Sequence, residues 1–194
     1  MKYSRLLVIG DSLSFGSRDE FGSCWSIELA KLALKEDYSI IPLIYATPGY
    51  TSFQILKEAP IILEQWRGKV LELFVQFGTN DAKDEINTPL NVFEDNVRVF
   101  LSMCFGYRVF FFTIPLPLGF GTDGYTFNIV PRIIKYNEAI KRVCSEKNVG
   151  LIDLSFLDSF EDFNDGIHYS NLANKKIAEK VWQKIKEIRE WKKI

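Results

Sequence analysis

The 194 residues carry a net charge of −1, with 47% hydrophobic and 25% charged side chains. That length suits one full-sized domain with a real core, and so balanced a charge leaves no basic field to attract nucleic acid. No apolar stretch approaches the roughly 20 residues of a membrane span.

Leu6–Ile9 is a short, wholly apolar run ending in glycine, the pattern of a strand covered on both faces. It is too short for a signal-peptide core, so a cytoplasmic, reduced protein is expected. Trp25, Leu29 and Leu32 then form a helical stripe. Ser39–Ile44 reads as an edge strand, because Pro42 lacks an N–H to donate. Residues 51–67 have a helix-like pattern interrupted by Pro60, which predicts a kink or two short helices. Leu71–Gln76 is a second buried strand. Thr88 and Pro89 suit an N-cap and first helical position, with Val92, Asn96, Phe100 and Cys104 continuing one face.

Arg108–Thr113 is a further buried strand, and residues 114–130 form a long loop rich in proline and glycine, a length more often functional than idle. Pro131 opens a helix carrying Ile133, Asn137, Ile140 and Cys144. Val149–Asp153 is the last strand, and a helix from about Ser170 aligns Ile177, Val181, Ile185 and Ile188. Its mixed-sign end, residues 184–193, reads as a solvated face. Strand and helix alternate throughout residues 1–194, which predicts a single α/β domain with helices on both faces of a parallel sheet. Cys24, Cys104 and Cys144 are odd in number and set among apolar neighbours, so buried free thiols are expected.

In open parallel sheets, ligands bind beyond the carboxyl ends of the strands. At that edge this chain places Gly10-Asp11-Ser12, Pro48-Gly49-Tyr50-Thr51, Gly78-Thr79-Asn80-Asp81 and, a dozen residues after the last strand, Asp165-Gly166-Ile167-His168. His168 is the single histidine, so any imidazole base must be this one. Asp165, three residues earlier, can hold the ring tautomer that frees the other nitrogen for Ser12. The Ser12 N–H at a helix start, the Gly49 N–H and the Asn80 amide are donors suited to a tetrahedral oxyanion.

One histidine and scattered cysteines make no zinc set, and the chemistry requires neither metal nor cofactor. Taken alone, Gly10-Asp11-Ser12 is also a plain turn with a helix cap, Gly49 a turn glycine, and His168 a capped histidine; their recurrence at one sheet edge favours chemistry. A conventional α/β-hydrolase elbow, G-x-S-x-G, does not occur here. A nucleotide cradle would need glycine spacing that the first loop lacks, and Asp11 would repel phosphate.

Gly10-Asp11-Ser12-Leu13-Ser14, Gly49, Gly78-Thr79-Asn80-Asp81 and Asp165-Gly166-Ile167-His168 resemble, in order and spacing, the four marker blocks of the SGNH hydrolases, or GDSL esterases/lipases. The resemblance spans nearly the whole chain. It implies a flavodoxin-like three-layer α/β/α sandwich with a five-stranded parallel sheet. It implies Ser12 as nucleophile, His168 as base, Asp165 as its orienting acid, and Ser12, Gly49 and Asn80 as the oxyanion hole. Asp11 and Asp81 match positions that support the site's geometry. The second block departs from the family, since Ile44-Tyr45-Ala46 stands where many members carry Asn-x-Gly before the block glycine.

The expected activity is hydrolysis of a carboxylic ester with a short acyl group, on a small molecule such as an acylated sugar or lipid. Lysophospholipase or thioesterase chemistry is the alternative within the family; a catalytically inactive glycan- or protein-binding module is the alternative outside it. Specificity is expected from the loops Phe15–Trp25, Tyr50–Phe53 and Leu116–Phe127, whose aromatics are Phe15, Phe21, Trp25, Tyr50, Phe53, Phe120, Tyr125 and Phe127. The sequence carries no signal for an oligomeric state.

Overall fold

The computed structural model describes residues 2–118 and 129–190. Five strands, β1 (Lys2–Gly10), β2 (Tyr38–Ala46), β3 (Glu72–Gln76), β4 (Arg108–Phe112) and β5 (Gly150–Ile152), form one sheet. Its order is β2-β1-β3-β4-β5, and every neighbouring pair is parallel. The chain steps outward from β1 to β2, then returns past β1 to β3, so the connection direction reverses between β1 and β3. Such a reversal opens a crevice at the carboxyl edge of the sheet.

Among the described residues six α-helices accompany the strands: α1 (Ser12–Phe15), α2 (Trp25–Leu34), α3 (Ser52–Trp66), α4 (Leu90–Met103), α5 (Ile129–Glu146) and α6 (Asn171–Glu190). Alternation along the strands sorts the core into two layers. Leu7, Ile9, Leu73 and Val75 pack with Ile55, Leu63, Phe93, Phe100, Ile133 and Ile140 from α3, α4 and α5. Leu6, Val8 and Phe74 pack on the opposite face with Leu13, Trp25, Leu29, Ile177, Val181 and Ile185 from α1, α2 and α6. Each such side chain, fully buried, contributes roughly 1.5–3 kcal/mol of transfer free energy. The outcome is the expected α/β sandwich around a five-stranded parallel sheet. Pro42 indeed lies on an edge strand, paired on one side only, opposite Leu6. Cys24, Cys104 and Cys144 are free and buried, and burial pushes the thiols of Cys104 and Cys144 up to about 12.

Three local expectations are corrected or narrowed. Of the kink or two short helices expected at Pro60, the division into two is excluded: α3 is a single helix, and Pro60 sits on its exposed side. There the backbone carbonyl left without an N–H partner can turn to water. Thr88 does not cap α4. Pro89, with an extended ψ of 141°, is the residue flanking the helix, and the Thr88 hydroxyl donates instead to Asp81 Oδ1 at 3.2 Å. Finally, Pro131 does not open α5, which is already helical at Ile129, where the described residues resume. The loop expected over 114–130 is described only to residue 118, so most of it, with Phe120, Tyr125 and Phe127, lies outside the described residues.

Candidate active site

The segment after β1 makes a sharp turn into the single helical turn α1. Gly10 sits where a Cβ would meet Ser14 Oγ at 2.5 Å and the Gln76 carbonyl oxygen at 2.8 Å, so the backbone can pass there only without a side chain. Asp11 caps α1 by accepting the Leu13 N–H at 3.0 Å. Ser12 is therefore the first helical residue, where backbone N–H groups have no partner within the helix. Asp11 is fully buried. Burial pushes its carboxyl up to about 7, with the charge of Asp81 adding to the rise and the Leu13 N–H opposing it.

Ser12 Oγ lies 3.1 Å from His168 Nε2, and His168 Nδ1 lies 2.8 Å from Asp165 Oδ2. Ser12 and His168 are both buried. With the ring proton on Nδ1, the imidazole donates to Asp165 and presents Nε2 as an acceptor to the serine hydroxyl. The other Asp165 oxygen, Oδ1, accepts the backbone N–H groups of His168 at 2.8 Å and Ile167 at 3.1 Å. Burial alone would raise the Asp165 pKa. The hydrogen bonds from the His168 backbone and ring outweigh it and hold the carboxyl below its ordinary value. The turn bearing these residues is closed by Asn164 N–H donating to the His168 carbonyl at 2.9 Å. It is also tied to the loop after β4 by Leu118 N–H donating to the Gly166 carbonyl at 2.8 Å.

The loops after β2 and β3 adjoin this chain of hydrogen bonds. Thr47 N–H donates to the Gly10 carbonyl at 3.1 Å, and Tyr50 N–H closes a turn onto the Thr47 carbonyl at 3.2 Å. Pro48 and Gly49 occupy the two central positions of that turn, and Gly49 has φ +83°, as a type II turn requires. A Cβ on Gly49 would meet no atom of the described residues within 4 Å. Glycine is thus demanded there by backbone conformation, not by crowding within the chain. Asn80 is buried and donates from Nδ2 to the Tyr50 carbonyl at 3.0 Å, joining the two loops. Behind it Asp81, also buried, accepts Ser52 N–H at 2.8 Å and the Ser52 hydroxyl at 2.5 Å. Burial raises the Asp81 pKa despite these bonds. Asn96 Nδ2 in turn donates to Ser52 Oγ at 2.8 Å.

Ser12, His168 and Asp165 are thus joined directly. Asn80 and the Gly49 turn are joined to each other, and Asp11 and Asp81 are buried carboxylates on the adjoining loops. Sequence reasoning missed Arg18, whose Nη1 lies 3.2 Å from Asp165 Oδ2, along with Gln76, Asn96 and Tyr169. Gln76 alone left a trace, as a polar residue closing an apolar strand. Among the loop aromatics, Phe15, Phe21 and Phe53 are more than half exposed. Trp25 is not a surface residue at all. It packs edge-on against Phe74, with ring centroids 5.6 Å apart, and belongs to the core. Among the described residues no helix is long and apolar enough to cross a membrane, and no three His, Cys, Asp or Glu side chains gather as a metal set.

Residues 8–176 match the model of the GDSL-like lipase/acylhydrolase family. Among solved structures the chain is similar to a lipase/acylhydrolase from Enterococcus faecalis, with TM-score 0.76, 20% identity, and 95% and 96% of the two chains covered. It is similar to Est24, a carbohydrate acetylesterase from Sinorhizobium meliloti, with TM-score 0.78, 19% identity and coverage of 95% and 99%. It is also similar to an aryl esterase of M. smegmatis, with TM-score 0.77, 18% identity and coverage of 95% and 99%. No protein of curated description matches the sequence. The match over residues 8–176 takes in all four marker blocks, and the chain belongs to the GDSL-like lipase/acylhydrolase family of ester hydrolases, the SGNH hydrolases.

Proposed function

We propose that this hydrolase cleaves carboxylic esters bearing short acyl groups, through an acyl-enzyme on Ser12. The observation that carries this reading is the unbroken chain from Ser12 Oγ through His168 to Asp165, with separations of 3.1 and 2.8 Å. Ser12 Oγ adds to the ester carbonyl carbon while its proton passes to His168 Nε2. The carboxylate of Asp165 stabilises the imidazolium so formed. The developing oxyanion accepts hydrogen bonds from the Ser12 and Gly49 N–H groups and from the Asn80 amide; one such donor is worth a factor of roughly 10²–10³ in rate. Collapse breaks the ester C–O bond, and the alcohol departs with the proton from His168. Water, deprotonated by His168, then attacks the acyl carbon and releases the acid and a free Ser12 hydroxyl.

The short-acyl reading draws on the likeness to the carbohydrate acetylesterase of Sinorhizobium meliloti. Phe15, three residues past Ser12, and Phe53, early in α3, are 54% and 55% exposed. Esters of sugars and of aryl alcohols are candidate substrates, in keeping with the likeness to the carbohydrate acetylesterase of Sinorhizobium meliloti and the aryl esterase of M. smegmatis. The test is hydrolysis of p-nitrophenyl esters from acetate to decanoate by wild type and Ser12→Ala. Activity should be highest on the shortest chains and vanish in the variant. Ser12→Ala turning over at the wild-type rate would refute the mechanism, and a decanoate preference would refute the acyl assignment.

A further inference from the structure

Gln76 ends β3 on the face shared with Glu72 and Phe74, directly beside Gly10 in the sheet register. That face is packed with apolar side chains from α1, α2 and α6, and Gln76 within it is only 1% exposed. A buried amide is costly unless both its polar ends are paired. Here both ends are used, each on a different element. Gln76 Oε1 accepts the Ser14 hydroxyl at 3.3 Å, and Gln76 Nε2 donates to the Tyr169 hydroxyl oxygen at 2.6 Å. Ser14 and Tyr169 are themselves 0% and 2% exposed.

The two partners are not arbitrary. Ser14 lies two residues past Ser12 in the four-residue helix α1, and Tyr169 directly follows His168. A single helical turn has little stability of its own, so the position of Ser12 depends on what α1 is fastened to. We propose that Gln76 is a positioning residue for ester hydrolysis. Its side chain clamps the nucleophile's helix to the base's turn and so keeps Ser12 Oγ in hydrogen-bonding reach of His168 Nε2. The amide is specifically suited, because one planar group accepts from one segment while donating to the other. Leucine or methionine would fill the space and hold neither.

This inference rests on Ser12 and His168 being catalytic, so Ser12→Ala accompanies the test. Gln76→Leu, Tyr169→Phe and the double variant are assayed for kcat and KM on p-nitrophenyl acetate, and for the rate at which a fluorophosphonate labels Ser12. Each single variant should lose about tenfold or more in kcat and in labelling rate, with KM within about twofold, since small misplacements of reacting atoms are heavily penalised. Because both substitutions cut one link, the double variant should be no worse than the poorer single one. Tyr169→Phe removes one oxygen only, and it decides the matter if Gln76→Leu does not fold. Folded variants that label and turn over like wild type, or losses that add, would overturn the clamp while an inactive Ser12→Ala leaves the catalytic reading standing. An active Ser12→Ala would overturn that reading itself.

Discussion

Arg18 Nη1 lies 3.2 Å from Oδ2 of Asp165, the same oxygen that receives Nδ1 of His168. The arginine is held in place through its backbone: φ is +62°, and its carbonyl accepts Asn164 Nδ2 at 2.6 Å. A guanidinium at this point favours the ionised Asp165. Its side chain is 48% exposed, so solvent screens the interaction and about 1 kcal/mol is the ceiling. Arg18→Gln should therefore lower the unfolding free energy at neutral pH by no more than about 1 kcal/mol. The difference from wild type should shrink as salt is added, because an exposed charge is screened. Identical unfolding midpoints at low salt would show that Arg18 has no electrostatic part in the site.

Asp165 does two things with two oxygens, and Asp165→Asn separates them. The asparagine oxygen can still accept the Ile167 and His168 N–H groups that shape the turn. Its NH₂, however, would face Nδ1 of His168 and favour the tautomer that places the proton on Nε2, against Ser12. The unfolding midpoint should stay close to that of wild type while kcat falls by about 10²–10⁴. A variant that keeps most of its kcat would show that the carboxylate serves the turn and not the histidine.

Asp11 makes stability depend on pH in the direction opposite to most carboxylates. Its folded-state pKa is pushed up to about 7 by burial and by Asp81, from an ordinary value of 3.8. Between those two values the folded chain keeps a proton that the unfolded chain has released. The contribution is therefore fully present below the unfolded value and is lost as pH rises through the folded one. Asp11→Asn cannot ionise, yet it keeps an oxygen for the Leu13 N–H. Relative to wild type it should gain stability steadily from about pH 4 to about pH 8, by on the order of a few kcal/mol across the range. Thermal melts of the two proteins that run parallel over this range would contradict the burial of a titrating Asp11.

The parts of this protein legible in its sequence are those encoded by neighbours along the chain. Apolar runs such as Leu6–Ile9 announce buried strands, and Asp165-Gly166-Ile167-His168 carries the acid and base within one turn, where three-residue spacing alone brings carboxylate to imidazole. Pro60 left its helix undivided, and Thr88 did not cap its own, because a local rule met a tertiary circumstance: an exposed helix side in one case, a buried Asp81 carboxylate drawing off the hydroxyl in the other. Gln76 could not be assigned because its partners stand 62 and 93 residues away. No periodicity connects β3 to α1 and to the turn before α6; only the folded sheet does. Arg18 is hidden for the same reason, lying in an irregular loop whose course is set by contacts with Asn164.

Gly49 and Asn80 belong to loops fastened together at the Tyr50 carbonyl, and substitution can separate conformation from chemistry there. At Gly49 the space a Cβ would enter is open, but φ is +83°. Gly49→Ala should therefore cost about 1–2 kcal/mol of backbone strain, seen as a lower unfolding midpoint, together with a displaced N–H and a lower kcat. Asn80→Ala removes a donor without straining the backbone. An oxyanion is present only once Ser12 has attacked, so losing this amide should cost roughly 10²–10³ in kcat and leave KM nearly unchanged. If KM rises while kcat holds, Asn80 binds the ground-state ester and the oxyanion is held without it.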